Sequence, residues 1–228
     1  MDHNESKIHR RSLMSGMGAA IVGIAVTAAA SSAQAQQGTS GFQPARHAED
    51  AWFDKPGVSH RVFVDTASGR GGSDALRYAA NIMNSHNNAY GGSDADYAMV
   101  ICFRHGSTAF GYSDALWAKY GKIFQGMTQV PDPATNSSPT VNPVNVAGSG
   151  PFAGTHVDGM AARGVQYAIC ATASRGLAGM VARETGQNAD DVFNEIAANL
   201  VNNGRLVPAG VMAATRSQEY GYSLLSVG

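Results

Sequence analysis

Four side chains in this sequence have types and spacings suited to thiol chemistry. Cys102 and Cys170 are its two cysteines, and each lies near the end of a run of apolar residues. His105 follows the first cysteine by three positions and Arg175 follows the second by five. A nearby cation or helix N-terminus makes a thiolate more available as a nucleophile. The pattern predicts a reactive thiol at Cys170, with Arg175, His105 and Cys102 in support.

Two other interpretations of the cysteines stay open. Either cysteine can be a small buried apolar residue, an interpretation that suits Cys102, inside its apolar run, better than Cys170. A disulfide between them is the second alternative. A doubly wound sheet usually has strand one between strands two and three, which would hold the cysteines roughly 10 Å apart. That distance exceeds the reach of a disulfide, so this strand order predicts two free thiols.

The elements that must position these residues alternate along the chain. Short runs rich in apolar and β-branched residues predict strands, and apolar residues on one helical face predict the helices between them. This alternation predicts an α/β fold of three layers, α/β/α, around a mostly parallel sheet. Both cysteines then lie at the carboxyl edge, where such sheets bind ligands. The predicted strands are 60–66, 97–103, 164–171, 206–214 and 222–227, and the predicted helices are 73–87, 113–124, 177–183, 188–201 and a turn at 215–220.

The chain divides into three predicted regions, of which the first is residues 1–35. Residues 36–57 are polar and predict an exposed arm, and residues 58–228 predict one domain. Within it, residues 125–163 hold five of the eight prolines and predict a long loop. A loop of this length is either functional or a plain insertion, so a lid, an oligomer contact and an unstructured segment are the alternatives.

The first 35 residues have the order of an export signal. Lys7, Arg10 and Arg11 form a basic region, residues 12–30 are small, apolar and uncharged, and Ala33-Gln34-Ala35 is a small-x-small cleavage site. The arginine pair resembles a twin-arginine signal of bacterial export. We expect cleavage after Ala35 and a periplasmic or otherwise exported protein. An uncleaved anchor is the alternative, and the short, glycine-diluted apolar stretch disfavours it.

Composition and motifs exclude several classes of function. The formal net charge of −1 provides no basic footprint for nucleic acid. Two cysteines cannot form a four-thiolate zinc site, and no Gly-x-Ser-x-Gly elbow is present. His105, His156 and Asp158 as metal ligands, and 69–72 (Gly-Arg-Gly-Gly) as a phosphate loop, are minor alternatives. We therefore predict no cofactor, no metal and no stable membrane insertion after signal cleavage.

Three segments resemble one family. Residues 164–173, Gly-Val-Gln-Tyr-Ala-Ile-Cys-Ala-Thr-Ala, look like the cysteine strand of DsrE and TusD, proteins of sulfur relay. Residues 103–106, Phe-Arg-His-Gly, resemble the exit of strand two in the same family. Residues 207–211 and 218–222 resemble the close of many DsrE/DsrF-like chains. The resemblance covers residues 58–228 apart from the long loop.

This resemblance implies a fold and a chemistry. DsrE/F-like proteins have a three-layer α/β/α fold and often assemble as trimers or hexamers. Their strand-three cysteine carries sulfur as a persulfide, and the residue at that position here is Cys170. The expected partners are sulfur donor and acceptor proteins or small sulfur compounds, within a homo-oligomer. Family relay proteins are cytoplasmic, whereas this chain is predicted to be exported. A non-catalytic oligomeric binding module of the same fold is the alternative.

Overall fold

Strands and helices alternate along the chain in the computed structural model, which describes residue 41 and residues 43–148 and 153–228. The five strands are β1 (His60–Thr66), β2 (Tyr97–Phe103), β3 (Gln166–Cys170), β4 (Gly204–Val207) and β5 (Ser223–Val227). The helices are α1 (Gly69–Tyr90), α2 (Asp114–Thr128), α3 (Val157–Ala162), α4 (Ala171–Thr185), α5 (Ala189–Ala198) and α6 (Gly210–Glu219). Short 3₁₀ segments cover Ala48–Phe53, Asp94–Asp96 and His105–Gly111.

The sheet contains all five strands in the order β4-β3-β2-β1-β5, and every neighbouring pair is parallel. Buried side chains of α1 to α5 pack on one face of the sheet. Side chains of α6 and of the 3₁₀ segment Ala48–Phe53 pack on the other. The predicted three-layer α/β/α fold is therefore confirmed, with a sheet that is parallel throughout.

Side chains along each strand alternate between the two faces of the sheet, so the core is divided into two clusters. Val64, Ile101 and Ile169 contribute to the larger cluster, under α1 to α5. Their neighbours Phe63 and Ala168 contribute to the smaller one, under α6. All seven residues of β2 are buried, as expected of a central strand covered on both sides.

Strands β1 and β2 begin and end at the predicted residues, but two helices near the site differ from the prediction. Helix α1 starts at Gly69 rather than Ser73, because the Ser68 hydroxyl accepts a hydrogen bond from the Gly71 amide at 3.0 Å. Residues 172–183, predicted as a turn and then a short helix or turn, belong to one helix, α4, which starts directly after β3.

The predicted strand at 206–214 is wrong beyond Val207. Pro208 follows the end of β4, and residues 210–219 form α6. Ala213 and Ala214 are buried against the sheet, and Val211 and Met212 are exposed. This apolar run suits a helix, because alanine and methionine are strong helix formers.

The predicted exposed arm contributes to the core. Residues Pro44–Gly228 form one compact unit, so the folded part starts before residue 58. Phe53 is fully buried, and its ring lies 6.2 Å from that of Phe63 and 5.5 Å from that of Tyr222. The segment before β1 thus covers the face of the sheet that α6 leaves open.

The loop in the proline-rich region is shorter than predicted. Helix α2 continues to Thr128, and α3 occupies Val157–Ala162. Between them, the fully buried Asn142 donates to the backbone oxygens of Phe110 at 2.8 Å and Tyr112 at 3.0 Å. These contacts fasten the middle of the loop to the connection between β2 and α2.

The predicted export signal, residues 1–35, lies outside the described residues. Across the described part of the chain, no helix combines the length and apolar character needed to cross a membrane.

Candidate functional site

Cys170 is the last residue of β3 and the N-cap of α4. Its Sγ accepts a hydrogen bond from the Ala173 amide at 3.4 Å, and the residue is 5% exposed. A helix N-terminus presents unpaired N–H groups and a positive end of the helix dipole. Negative charge on this sulfur atom, as in the thiolate, therefore has a hydrogen-bond donor already in place.

The first turn of α4 is held from both sides. On one side the Thr172 hydroxyl donates to the Pro208 carbonyl at 3.0 Å, which ties α4 to the connection between β4 and α6. On the other side the buried Tyr112 hydroxyl donates to the Ser174 hydroxyl at 2.8 Å. Burial raises the pKa of Tyr112, so the phenol stays protonated as a donor. These contacts fix the turn that presents Cys170.

Cys170 lies where the topology of the sheet changes direction. The chain leaves β3 into α4 on one face of the sheet, and it leaves β4 into α6 on the other. Open parallel sheets bind ligands at such points, beyond the carboxyl ends of the strands. The predicted reactive cysteine, Cys170, therefore lies at such a point.

Cys102 belongs to the core under α6. It is fully buried, and its thiol donates weakly to the Gly210 carbonyl at 3.8 Å. Burial, with a smaller contribution from the Asp65 carboxylate, raises the pKa of the Cys102 thiol far above its usual range. At neutral pH it is a protonated, inaccessible thiol, as its position inside an apolar run suggested.

The predicted strand order was wrong, because β2 and β3 are direct neighbours. Both thiols are nevertheless free. The register explains this: Cys102 pairs with Ala168, so Cys170 is its diagonal neighbour, two residues further along β3. Diagonal neighbours across a sheet have α-carbons about 7–8 Å apart, beyond the distance of about 7 Å that a disulfide spans.

The cation nearest the cysteines at this edge of the sheet is Arg104, a residue absent from the predicted site. Its Nε and Nη2 donate to the two carboxylate oxygens of Asp65 at 2.7 and 2.8 Å. Its guanidinium interacts electrostatically with both cysteines, and the hydrogen bonds that it donates to Asp65 raise the pKa of Arg104. One feature of the sequence could have indicated this ion pair. Asp65 interrupts an apolar strand, and Arg104 follows another apolar strand at the same edge of the sheet.

The two other predicted site residues lie in different surroundings. His105 is exposed, has a positive φ of 51°, and its Nδ1 lies 3.4 Å from Nη1 of Arg104. Arg175 points toward α5, where its guanidinium stacks on Phe193 at 3.9 Å and lies 3.8 Å from a carboxylate oxygen of Asp190. The structure thus places His105 at the edge of the sheet where the cysteines lie, whereas Arg175 contacts residues of α5.

The minor ligand-binding alternatives gain no support. The described residues contain no group of three or more His, Cys, Asp or Glu side chains placed to hold a metal ion. Asp158 instead accepts hydrogen bonds from the amides of Asn145 and Asn202, each at 2.9 Å. A β-carbon on Gly69 would lie 1.8 Å from the Thr128 carbonyl oxygen, so the glycine there serves helix packing.

Comparisons with known proteins add no relative: no family model matches the chain, and searches of curated proteins and of solved structures find no significant similarity.

Proposed function

We propose that this protein is an exported DsrE-like sulfur carrier that holds sulfane sulfur as a persulfide on Cys170. The observation that carries the proposal is the hydrogen bond from the Ala173 amide to Cys170 Sγ, at the N-terminus of α4. This donor stabilises the Cys170 thiolate, the form of the sulfur that accepts sulfane sulfur and that is released again on transfer. Export through the twin-arginine pathway and assembly as a homo-oligomer belong to the proposal and rest on the sequence features and the resemblance.

The transfer needs no external oxidant. The Cys170 thiolate attacks the terminal sulfur of a polysulfide or donor persulfide, a new S–S bond forms, and the donor's S–S bond breaks with its electron pair on the departing thiolate. An acceptor thiolate then attacks the outer sulfur of the Cys170 persulfide. The Cys170 thiolate leaves unchanged and can be loaded again.

Intact-mass measurement tests this proposal. The reduced protein is incubated with polysulfide, separated from excess reagent and weighed before and after reductant. We expect reductant-sensitive additions equal to whole sulfur atoms in the parent protein and in Cys102→Ala, and none in Cys170→Ser. Circular dichroism confirms that the variants fold. Undiminished loading of Cys170→Ser would contradict the proposal.

A non-catalytic assembly module is the second candidate. Val211 and Met212 at the start of α6 are 53% and 45% exposed, and Leu224 on the edge strand β5 is 43% exposed. Exposed apolar side chains of this size suit protein contacts. If this candidate holds, light scattering shows an oligomer, and polysulfide fails to load Cys170 in the native state.

A further inference from the structure

The register of β2 and β3 places Arg104 beside Cys170. Phe103 pairs with Ile169, the last pair of the register; Arg104 follows directly after β2, and Cys170 is the last residue of β3. Arg104 keeps an extended backbone, with φ −135° and ψ 162°, so the alignment continues past the end of β2. Paired residues of parallel strands point to the same face of the sheet. The two side chains therefore leave the sheet on the same face.

Asp65 fixes the direction of the Arg104 side chain. The two hydrogen bonds between them form a planar, two-point contact, which holds a guanidinium in one orientation. The side chains are 18% and 8% exposed for Arg104 and Asp65, so water screens the pair little. Gly210 packs closely against the Arg104 side chain, because a β-carbon at position 210 would lie 2.7 Å from Arg104 Cβ.

We propose that Arg104 is the residue whose charge stabilises the anionic sulfur of Cys170, and that Asp65 is the positioning residue for Arg104. Other titratable groups lie on the elements at this edge of the sheet. Cys102 and Tyr112 are kept protonated by burial, Asp65 is already paired with Arg104, and His105 is solvent-exposed beside the guanidinium. Arg104 thus supplies a positive charge for the anionic sulfur, in addition to the hydrogen bond from the Ala173 amide. The inference rests on the proposed function only in taking Cys170 as the reacting thiol.

The rate at which iodoacetamide alkylates Cys170 tests this role without any sulfur chemistry. The rate is followed by peptide mass spectrometry in the native full chain between pH 6 and pH 9. We expect Arg104→Gln to slow alkylation at pH 7 about tenfold and to move the rate profile to higher pH. Arg104→Lys restores part of the rate, because it keeps the charge and loses the two-point contact. Arg175→Gln is the matched control and leaves the profile unchanged.

A second variant covers the case in which Arg104→Gln fails to fold, since it leaves Asp65 buried without a partner. Asp65→Asn combined with Arg104→Gln removes both charges, and we expect the same slow alkylation. A profile that superimposes on the parent in either folded variant overturns the inference. Absence of polysulfide loading in the parent, with the Arg104 effect intact, would instead overturn the proposed function alone.

Discussion

Cys102 and Cys170 are diagonal neighbours on adjacent parallel strands, yet only Cys170 caps a helix. Cys102 ends inside the core, where its sulfur contacts the Gly210 carbonyl. Cys170 receives an amide hydrogen bond and lies at the edge where the sheet opens. One sheet thus holds one thiol enclosed in the core and one at a helix N-terminus, and their reactivities should differ accordingly.

Native alkylation should separate the two thiols. Because burial raises the pKa of Cys102 and removes its access to solvent, we expect iodoacetamide to modify Cys170 at least about ten times faster at pH 8. In denaturant the two rates should become similar, which provides the internal control. Equal rates in the native protein would show that the core around Cys102 opens readily.

Gly210 is the contact point between α6 and the candidate site. A β-carbon there would meet Arg104 at 2.7 Å and Cys102 Sγ at 3.1 Å, so Gly210→Ala should lower the free energy of unfolding by about 1–3 kcal/mol. It should also slow Cys170 alkylation by displacing Arg104. Gly176→Ala is the matched control: no atom lies within 4 Å of its β-carbon, and we expect stabilisation of about 0.5–1 kcal/mol. Urea unfolding measures both changes, and a stabilised Gly210→Ala would contradict the packing argument.

The strands of the site could be predicted from the sequence more completely than the contacts between them. β1 and β2 were predicted to the residue because compact apolar runs are bounded by turn residues. Residues 206–214 were misassigned because a short apolar run does not distinguish a buried strand from a helix. The order of strands depends on crossovers that local patterns do not encode, so the adjacency of β2 and β3 was missed.

Arg104 was missed for a related reason. An arginine after a strand looks like a solvated loop residue until its partner is known, and Asp65 lies 39 positions away. Arg175 follows Cys170 in the turn predicted after β3, but Phe193 and Asp190 hold its guanidinium at α5. Long-range pairing, rather than proximity in sequence, decides which cation faces the cysteines.

Asn142 should be the anchor of the proline-rich segment. Its side-chain amide donates two buried hydrogen bonds, and its oxygen accepts one from the Val144 amide at 3.2 Å. Asn142→Ala leaves these backbone groups unpaired, so we expect a loss of about 2–3 kcal/mol in the free energy of unfolding. Thr140→Ala, at an exposed position nearby, should change it by less than about 0.5 kcal/mol. Limited proteolysis should cut the segment faster in Asn142→Ala; unchanged stability and cleavage would show that other contacts hold it.

The ion pair between Asp94 and Arg163 should make stability depend on pH. Two hydrogen bonds from Arg163, at 2.8 and 2.9 Å, lower the pKa of Asp94 below its ordinary value. A lowered folded-state pKa contributes stability above the unfolded pKa, and this contribution is lost as pH falls through the folded value.

Asp94→Asn should therefore lower the free energy of unfolding by about 1 kcal/mol at pH 7, and the difference from the parent should shrink steadily below about pH 4. Asp54→Asn is the control, because Asp54 is 71% exposed and its pair with Arg61 is screened by water. Urea unfolding at pH 7, 5 and 3 measures both variants. A difference for Asp94→Asn that stays constant over this range would mean that the residue acts through neutral hydrogen bonds, such as the one from Asn87 at 2.9 Å, rather than through its charge.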